Sequence, residues 1–218
     1  MSYDENDAAY DAYMDQLFKE FRETEGQQIA DDAIAGFQDE RLQSYFVANP
    51  TLVEPAVRQL RVARLLSSQN QPGAALVFAA SAVEVGLKQA LFRPIVYGLV
   101  HSAPAAVIIA ELSLGHAPLD RFKTLLLDIL AGYIGTDLRK YTPPGATKTL
   151  WEEIKDSQEA RNAILHRGEE RPAADADVAL RSASAVLETL FPAVATAIGL
   201  HVHSGVRVCQ AEVCKGQP

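Results

Sequence analysis

The stretch Glu159-Ala160-Arg161-Asn162-Ala163-Ile164-Leu165-His166-Arg167-Gly168-Glu169 closes one helical pattern and opens a loop. Before and within it, Trp151, Ile154, Ala160, Ile164 and Leu165 recur at helical intervals, which predicts a helix over about residues 147–166. Gly168 reads as a helix stop, and Arg167 to Pro172 as a charged loop. Beyond the loop, Val178, Leu180, Ala185, Leu187, Leu190 and Val194 predict the core side of a last long helix from Asp175 to Leu200. Asp175 or Asp177 is its expected N-cap, and Pro192 an expected kink.

The pattern continues toward the N-terminus. The longest apolar helix is expected at 73–92, carrying Ser81, Glu84 and Lys88 in its interior, with Pro94 and Gly98 breaking the chain beyond it. A helix at 54–68 turns Val57, Leu60, Val62, Ala63 and Leu66 to the core and Arg58, Arg61 and Arg64 outward. Helices at 104–113 and 118–134 each open on a proline. An acidic helix over 4–25, striped by Tyr3, Tyr10, Leu17 and Phe21, ends or breaks at Gly26, and a second piece continues at 29–46. Strand-like alternation is confined to Val202–Val208. The fold class is therefore all-α, a helical bundle. Extra N-terminal helices occupy 1–48, the bundle 49–200 with a helical insertion near 95–145, and a short C-terminal tail 201–218.

Charge is unevenly placed. Residues 1–40 hold 12 Asp or Glu and 2 Lys or Arg, so the net charge of −8 belongs to this segment and the remainder is nearly neutral. Indiscriminate binding to a phosphate backbone needs a basic excess, so any nucleic-acid contact must be a local patch. Two cysteines build no disulfide framework, and the acidic start carries no signal-like run. The apolar stretch from Pro72 to Val100 contains Glu84, Lys88, Arg93 and Pro94, and reads as a buried helix rather than a membrane span. The expected location is cytoplasmic, without membrane contact.

On a helix Asn162 and His166 lie four residues apart and share a face. Arg161 and His166 lie five apart, about 140° around the axis. A long Arg side chain, a frayed helix end or a second subunit would be needed to bring both to one phosphate. Such a set suits RNA cleavage without metal. An imidazole near neutrality moves the 2′-hydroxyl proton or protonates the leaving oxygen. A guanidinium holds the phosphate and stabilises charge in the transition state, and Asn162 orients the phosphate or the ring. One histidine per chain supplies one proton carrier, so acid and base together suit a two-fold dimer. The plainer alternative leaves Arg161 paired with Glu159 or Asp156 and His166 at the helix C-terminus, where a cation is favoured.

RNAILHRGE, with Arg161, Asn162 and His166, resembles the R-x(4–6)-H signature of HEPN domains, in which a polar residue follows the Arg and one last long helix follows the motif. Ala79-Ala80-Ser81-Ala82-Val83-Glu84-Val85-Gly86-Leu87-Lys88 is similar to the early HEPN core helix with its inward Glu. The resemblance spans roughly 50–200 and implies a HEPN-like bundle, a homodimer with a composite cleft, and RNA or a nucleotide as ligand. It further implies a metal-independent endoribonuclease of phage defence or a toxin–antitoxin system, with an antitoxin or regulatory protein as a further partner. The alternative within the family is a non-catalytic nucleotide- or protein-binding module.

Glu84 in an apolar helix needs a partner, either Arg161, which it would orient, or Lys88 one turn on. Arg167 either adds a phosphate contact or stays in solvent near Glu169 and Glu170. The face formed by Arg58, Arg61 and Arg64 would track RNA or be a wet helix side. His201-x-His203 and Cys209-x4-Cys214 supply four possible zinc ligands, but in a spacing unlike common zinc motifs; no metal and no cofactor is expected. His101 and His116 read as loop residues. The acidic N-terminal helices are expected to be solvated, with their Tyr/Phe side packing on the bundle, or to cover a basic cleft or bind a partner.

Overall fold

The computed structural model describes residues 5–100, 102–114, 123–210 and 214. The described residues are mostly helical, with one two-stranded hairpin. They divide into two compact units between Glu40 and Arg41. His101, His116 and the start of the helix expected at 118–134 lie outside the described residues.

The described residues of the first unit are all helical. Helix α1 runs unbroken over Glu5–Ala48, so Gly26 does not divide it into two as the sequence suggested. A helical glycine costs only about 1 kcal/mol. Good helix formers surround it, and pairs one turn apart brace the exposed side: Gln16 donates to Glu20, Gln27 to Asp31 and Gln28 to Asp32. Tyr10, Tyr13, Phe18 and Phe21 are exposed.

The second unit begins within that helix. Leu42 and Phe46 are buried in its core, and Arg41 donates to the carbonyls of Tyr97 and Val100. Helices α2 (Glu54–Ser68) and α3 (Pro72–Val85) open on prolines in their first turn, where no backbone donor is lost. Helix α3 continues through a π-helical stretch, Gly86–Phe92, into α4 (Arg93–Leu99). Helices α5 (Ala103–Leu114), α6 (Lys123–Ile134) and α7 (Leu150–Arg167) come next. Helix α8 (Ala173–Ser184) likewise passes through a π-helical stretch, Ala185–Leu190, into α9 (Phe191–Ala197).

Pro94 therefore does not end its helix. Each π-helical stretch stops one residue before an X-Pro pair, Arg93-Pro94 and Phe191-Pro192. A proline ring inside a helix clashes with the carbonyl four residues back. A locally wider turn accommodates the ring while the helix continues. The two widened stretches touch: a Cβ on Gly86 would lie 2.7 Å from Leu187 Cδ2 and 3.3 Å from Val186 Cγ1.

Helix α3 packs on α2, α7 and α8. Leu60, Leu76, Ile154, Leu187 and Phe191 fill the core, and Ala63, Ala75, Ala79, Ala82, Ala179 and Ala183 are fully buried where helices approach closely. Pro72–Leu99 and Ala173–Ala197 are each long and apolar enough to cross a membrane by length and composition, but more than half of each apolar window is buried inside the fold.

The C-terminal tail is in part a hairpin. Strands β1 (Leu200–His203) and β2 (Arg207–Gln210) pair antiparallel around a turn in which Ser204 and Gly205 take positive φ. Leu200 and Val208 are buried, and the Val208 amide donates to the Pro50 carbonyl at 2.7 Å.

Candidate functional site

Helix α7 has a firm beginning and a firm end. Thr149 and Glu152 form a reciprocal capping box: the Thr149 amide donates to Glu152 Oε2 at 2.8 Å and the Glu152 amide to Thr149 Oγ1 at 3.4 Å. At the other end Gly168 takes a left-handed conformation, φ 65°, and the Gly168 and Glu169 amides turn back onto Ile164 and Ala163 carbonyls. Arg161, Asn162, His166 and Arg167 thus all sit on ordered helix, and His166 and Arg167 occupy its last turn.

Arg161 turns toward α3. Its Nη1 lies 3.5 Å from Glu84 Oε2, and each side chain is 30% exposed. Glu84 Oε1 accepts from Lys88 Nζ at 2.7 Å. Both expected partners of Glu84 are therefore present at once, one carboxylate between two cations. Arg161 Nε is buried without a hydrogen-bond partner among the described residues. The local alternatives for Arg161 are taken by others, Asp156 by Lys148 at 2.6 Å and Glu159 by Lys155 at 3.9 Å.

Asn162 and His166 are exposed on the same face one turn apart. Among the described residues no hydrogen bond or ion pair joins Arg161, Asn162 and His166 to one another. Arg167 pairs with Glu169, which also accepts from Arg171 at 2.8 Å. The hydrogen bond from Arg167 holds the Glu169 carboxyl below its ordinary range and the Arg167 guanidinium above its own. In a single chain, then, Glu84 and Arg161 come together while His166 and Arg167 stand apart from them. Arg58 and Arg61 are exposed, and Arg64 is bound to Glu188 at 2.7 Å and Ser184 at 2.8 Å.

A cleft of about 480 Å³ opens beside α7 and α8, lined in part by Lys148, Asp156, Arg167, Arg171 and Arg181. Its lining includes Glu153, which is buried at 2% exposure. Arg181 clasps it through Nε and Nη2, and the Ser182 hydroxyl lies 3.5 Å away. The hydrogen bond to Glu153 raises the Arg181 pKa. The sequence reading missed this pair. The signal was there: Glu153 falls on the same stripe as Leu150, Ile154 and Ser157, a carboxylate at a core position.

The tail carries the second constellation. His201, His203, Cys209 and Cys214 converge, their potential ligand atoms all within 4.8 Å of one another. Burial, with the Cys214 thiol beside it, pushes the Cys209 thiol up, against a smaller opposing pull from Arg207. The sequence supplies the four side chains, but their spacing does not bring them together; the hairpin register and the placement of Cys214 do.

No family model, curated protein or solved structure matches the chain.

Proposed function

We propose that the chain is a HEPN-type endoribonuclease that cleaves RNA without a catalytic metal, at a composite site formed by two copies. The observation that carries this reading is the division of labour on α7. Arg161 is held from the core helix by Glu84, while Asn162 and His166 stand exposed together at the helix end. In a two-fold dimer one His166 accepts the 2′-hydroxyl proton as that oxygen bonds to phosphorus. His166 of the second copy protonates the departing 5′-oxygen. Arg161 takes the charge that develops on the phosphoryl oxygens. The products are a 2′,3′-cyclic phosphate and a 5′-hydroxyl. The setting that suits such an activity is cytoplasmic phage defence or a toxin–antitoxin pair, with an antitoxin or regulatory protein as the restraining partner.

The test is cleavage of total RNA and a tRNA pool by the purified full chain without added divalent cations, and again in EDTA. Wild type is expected to cleave in both. His166→Ala is expected to lose roughly 10²–10⁴-fold, the usual contribution of a positioned acid or base. Unchanged cleavage by His166→Ala overturns the assignment. Activity lost in EDTA and restored by magnesium but not zinc overturns the metal-independent chemistry. A second reading, a non-catalytic nucleotide- or protein-binding module, is favoured by the engagement of Arg161 with Glu84 rather than with His166. Tight nucleotide binding by wild type with no turnover decides for it.

A further inference from the structure

The hairpin register sorts the tail into two faces. His201 pairs with Cys209, Val202 with Val208 and His203 with Arg207. Side chains alternate along a strand, and directly paired residues share a face. Leu200, Val202 and Val208 therefore lie on the inner face, where Leu200 and Val208 are buried and Val202 is half-buried. The same alternation puts His201, His203 and Cys209 together on the outer face. Burial of the apolar side fixes this arrangement, because a one-residue slip would expose Leu200 and Val208.

Cys214 arrives from outside the ladder. Its amide donates to the Gln210 carbonyl at 3.1 Å. The Cys214 sulfur lies 3.5 Å from His201 Nδ1 and in contact with His203 Nε2. Cys209 Sγ is 4.0 Å from the same His201 Nδ1. The two imidazoles stand edge to face with centroids 4.4 Å apart. Ligands of a tetrahedral zinc ion, at about 2.0–2.3 Å from the metal, are separated from one another by roughly 3.3–3.8 Å.

We propose that His201, His203, Cys209 and Cys214 hold one zinc ion in a closed His2Cys2 site. His201 ligates through Nδ1 and His203 through Nε2, the nitrogens that face the thiols. Two sulfurs and two imidazoles, with no carboxylate among them, select zinc over magnesium or calcium. Four protein ligands leave no position for water or substrate, so the ion is structural. It ties Cys214 to the hairpin, which is itself anchored through Val208 to Pro50. The zinc site goes beyond the ribonuclease reading and stands without it, since none of its ligands belongs to the α7 motif.

The experiment is elemental analysis of the full chain, purified under reductant and dialysed against zinc, together with the absorption spectrum after cobalt replacement. Wild type is expected to retain close to one zinc per chain. Its cobalt form is expected to show the intense visible bands of tetrahedral coordination and thiolate-to-cobalt charge transfer. Cys209→Ser and His203→Ala are each expected to lose the zinc and the tetrahedral spectrum, while circular dichroism of the helical bundle stays unchanged. Reduced wild type that takes no zinc, or a weak octahedral cobalt spectrum, overturns the proposal. So does a Cys209–Cys214 disulfide in protein that still binds no zinc after reduction. The wild-type spectrum keeps the test valid even where a variant misfolds.

Discussion

Glu84 on α3 reaches Arg161 on α7 at 3.5 Å while accepting from Lys88, one turn along its own helix, at 2.7 Å. The carboxylate thus has two cations, and they are unequally placed: the Lys88 side chain is 11% exposed and that of Arg161 30%. Glu84→Gln leaves a nearly buried ammonium without its counter-charge. A loss of about 1–3 kcal/mol in urea unfolding is expected, the usual cost of stranding a buried polar partner. Arg161→Gln is expected to cost less, because Glu84 keeps Lys88. Reversal of that order would show that Arg161 contributes through contacts beyond its pair with Glu84.

Glu153 and Arg181 make the opposite kind of pair, with the carboxylate 3% exposed and the guanidinium at its rim. Arg181→Met strands the buried charge, and a loss of roughly 3–5 kcal/mol is expected. Adding Glu153→Leu to that variant is expected to recover most of the loss, since well-packed apolar replacements of buried ion pairs are often neutral or better. Chemical denaturation of the two variants beside wild type measures both steps. A double variant no more stable than Arg181→Met would mean the pair also organises the packing of α7 on α8.

How much of this was legible in the sequence depends on what kind of rule each feature obeys. The end of helix α7, its glycine stop and the exposed arginines of α2 follow from local periodicity, and the structure has them where the sequence put them, although α7 starts at Leu150 rather than near 147. Of the six core positions expected for the last helix, Ala185, Leu187, Leu190 and Val194 are buried. Val178 and Leu180 are only half-buried, while Ala176, Ala179, Ser182 and Ala183 are buried, because close helix contacts select small side chains over large ones. Leu165, assigned to the apolar side of α7, is 52% exposed. Pro94 was read as a stop because local rules do not anticipate a π-helical turn that accommodates the ring. The Glu84–Arg161 contact was one of two named alternatives, and that both are present at once needed tertiary structure. The meeting of His201, His203, Cys209 and Cys214 depends on strand register and on where Cys214 lies relative to the hairpin, neither of which spacing encodes.

Two glycines separate packing from propensity. Gly86 faces Leu187, which is 1% exposed and has little room to yield, so Gly86→Ala meets a side chain at 2.7 Å. Overpacking of this kind costs about 1–3 kcal/mol, offset by roughly 1 kcal/mol of helix propensity. A net loss of stability is expected. Gly132 in α6 has nothing among the described residues within 4 Å of an added Cβ, so Gly132→Ala gains the propensity alone, about 1 kcal/mol. Thermal unfolding of the two variants reads the signs directly. A stabilised Gly86→Ala would mean that the two π-helical stretches move apart easily.

Arg64 and Glu188 supply a pH dependence whose sign is fixed. The hydrogen bond from Arg64 holds the Glu188 carboxyl below its ordinary value, against a smaller opposing effect of burial. A carboxyl depressed on folding binds fewer protons in the native state. Its contribution is therefore complete above the unfolded value, about 4.3, and fades as pH falls through the lower folded value. Both side chains are about half exposed, at 48% and 49%, so solvent screening limits the contribution to roughly 0.2–1 kcal/mol. Glu169 is depressed in the same direction by Arg167, so the acid limb of wild type alone does not isolate Glu188. The comparison of wild type with Arg64→Met does. Urea unfolding is expected to place Arg64→Met below wild type at neutral pH and level with it once Glu188 is protonated in both states. A difference that persists unchanged at acid pH would assign the role of Arg64 to packing and to its Ser184 contact rather than to charge.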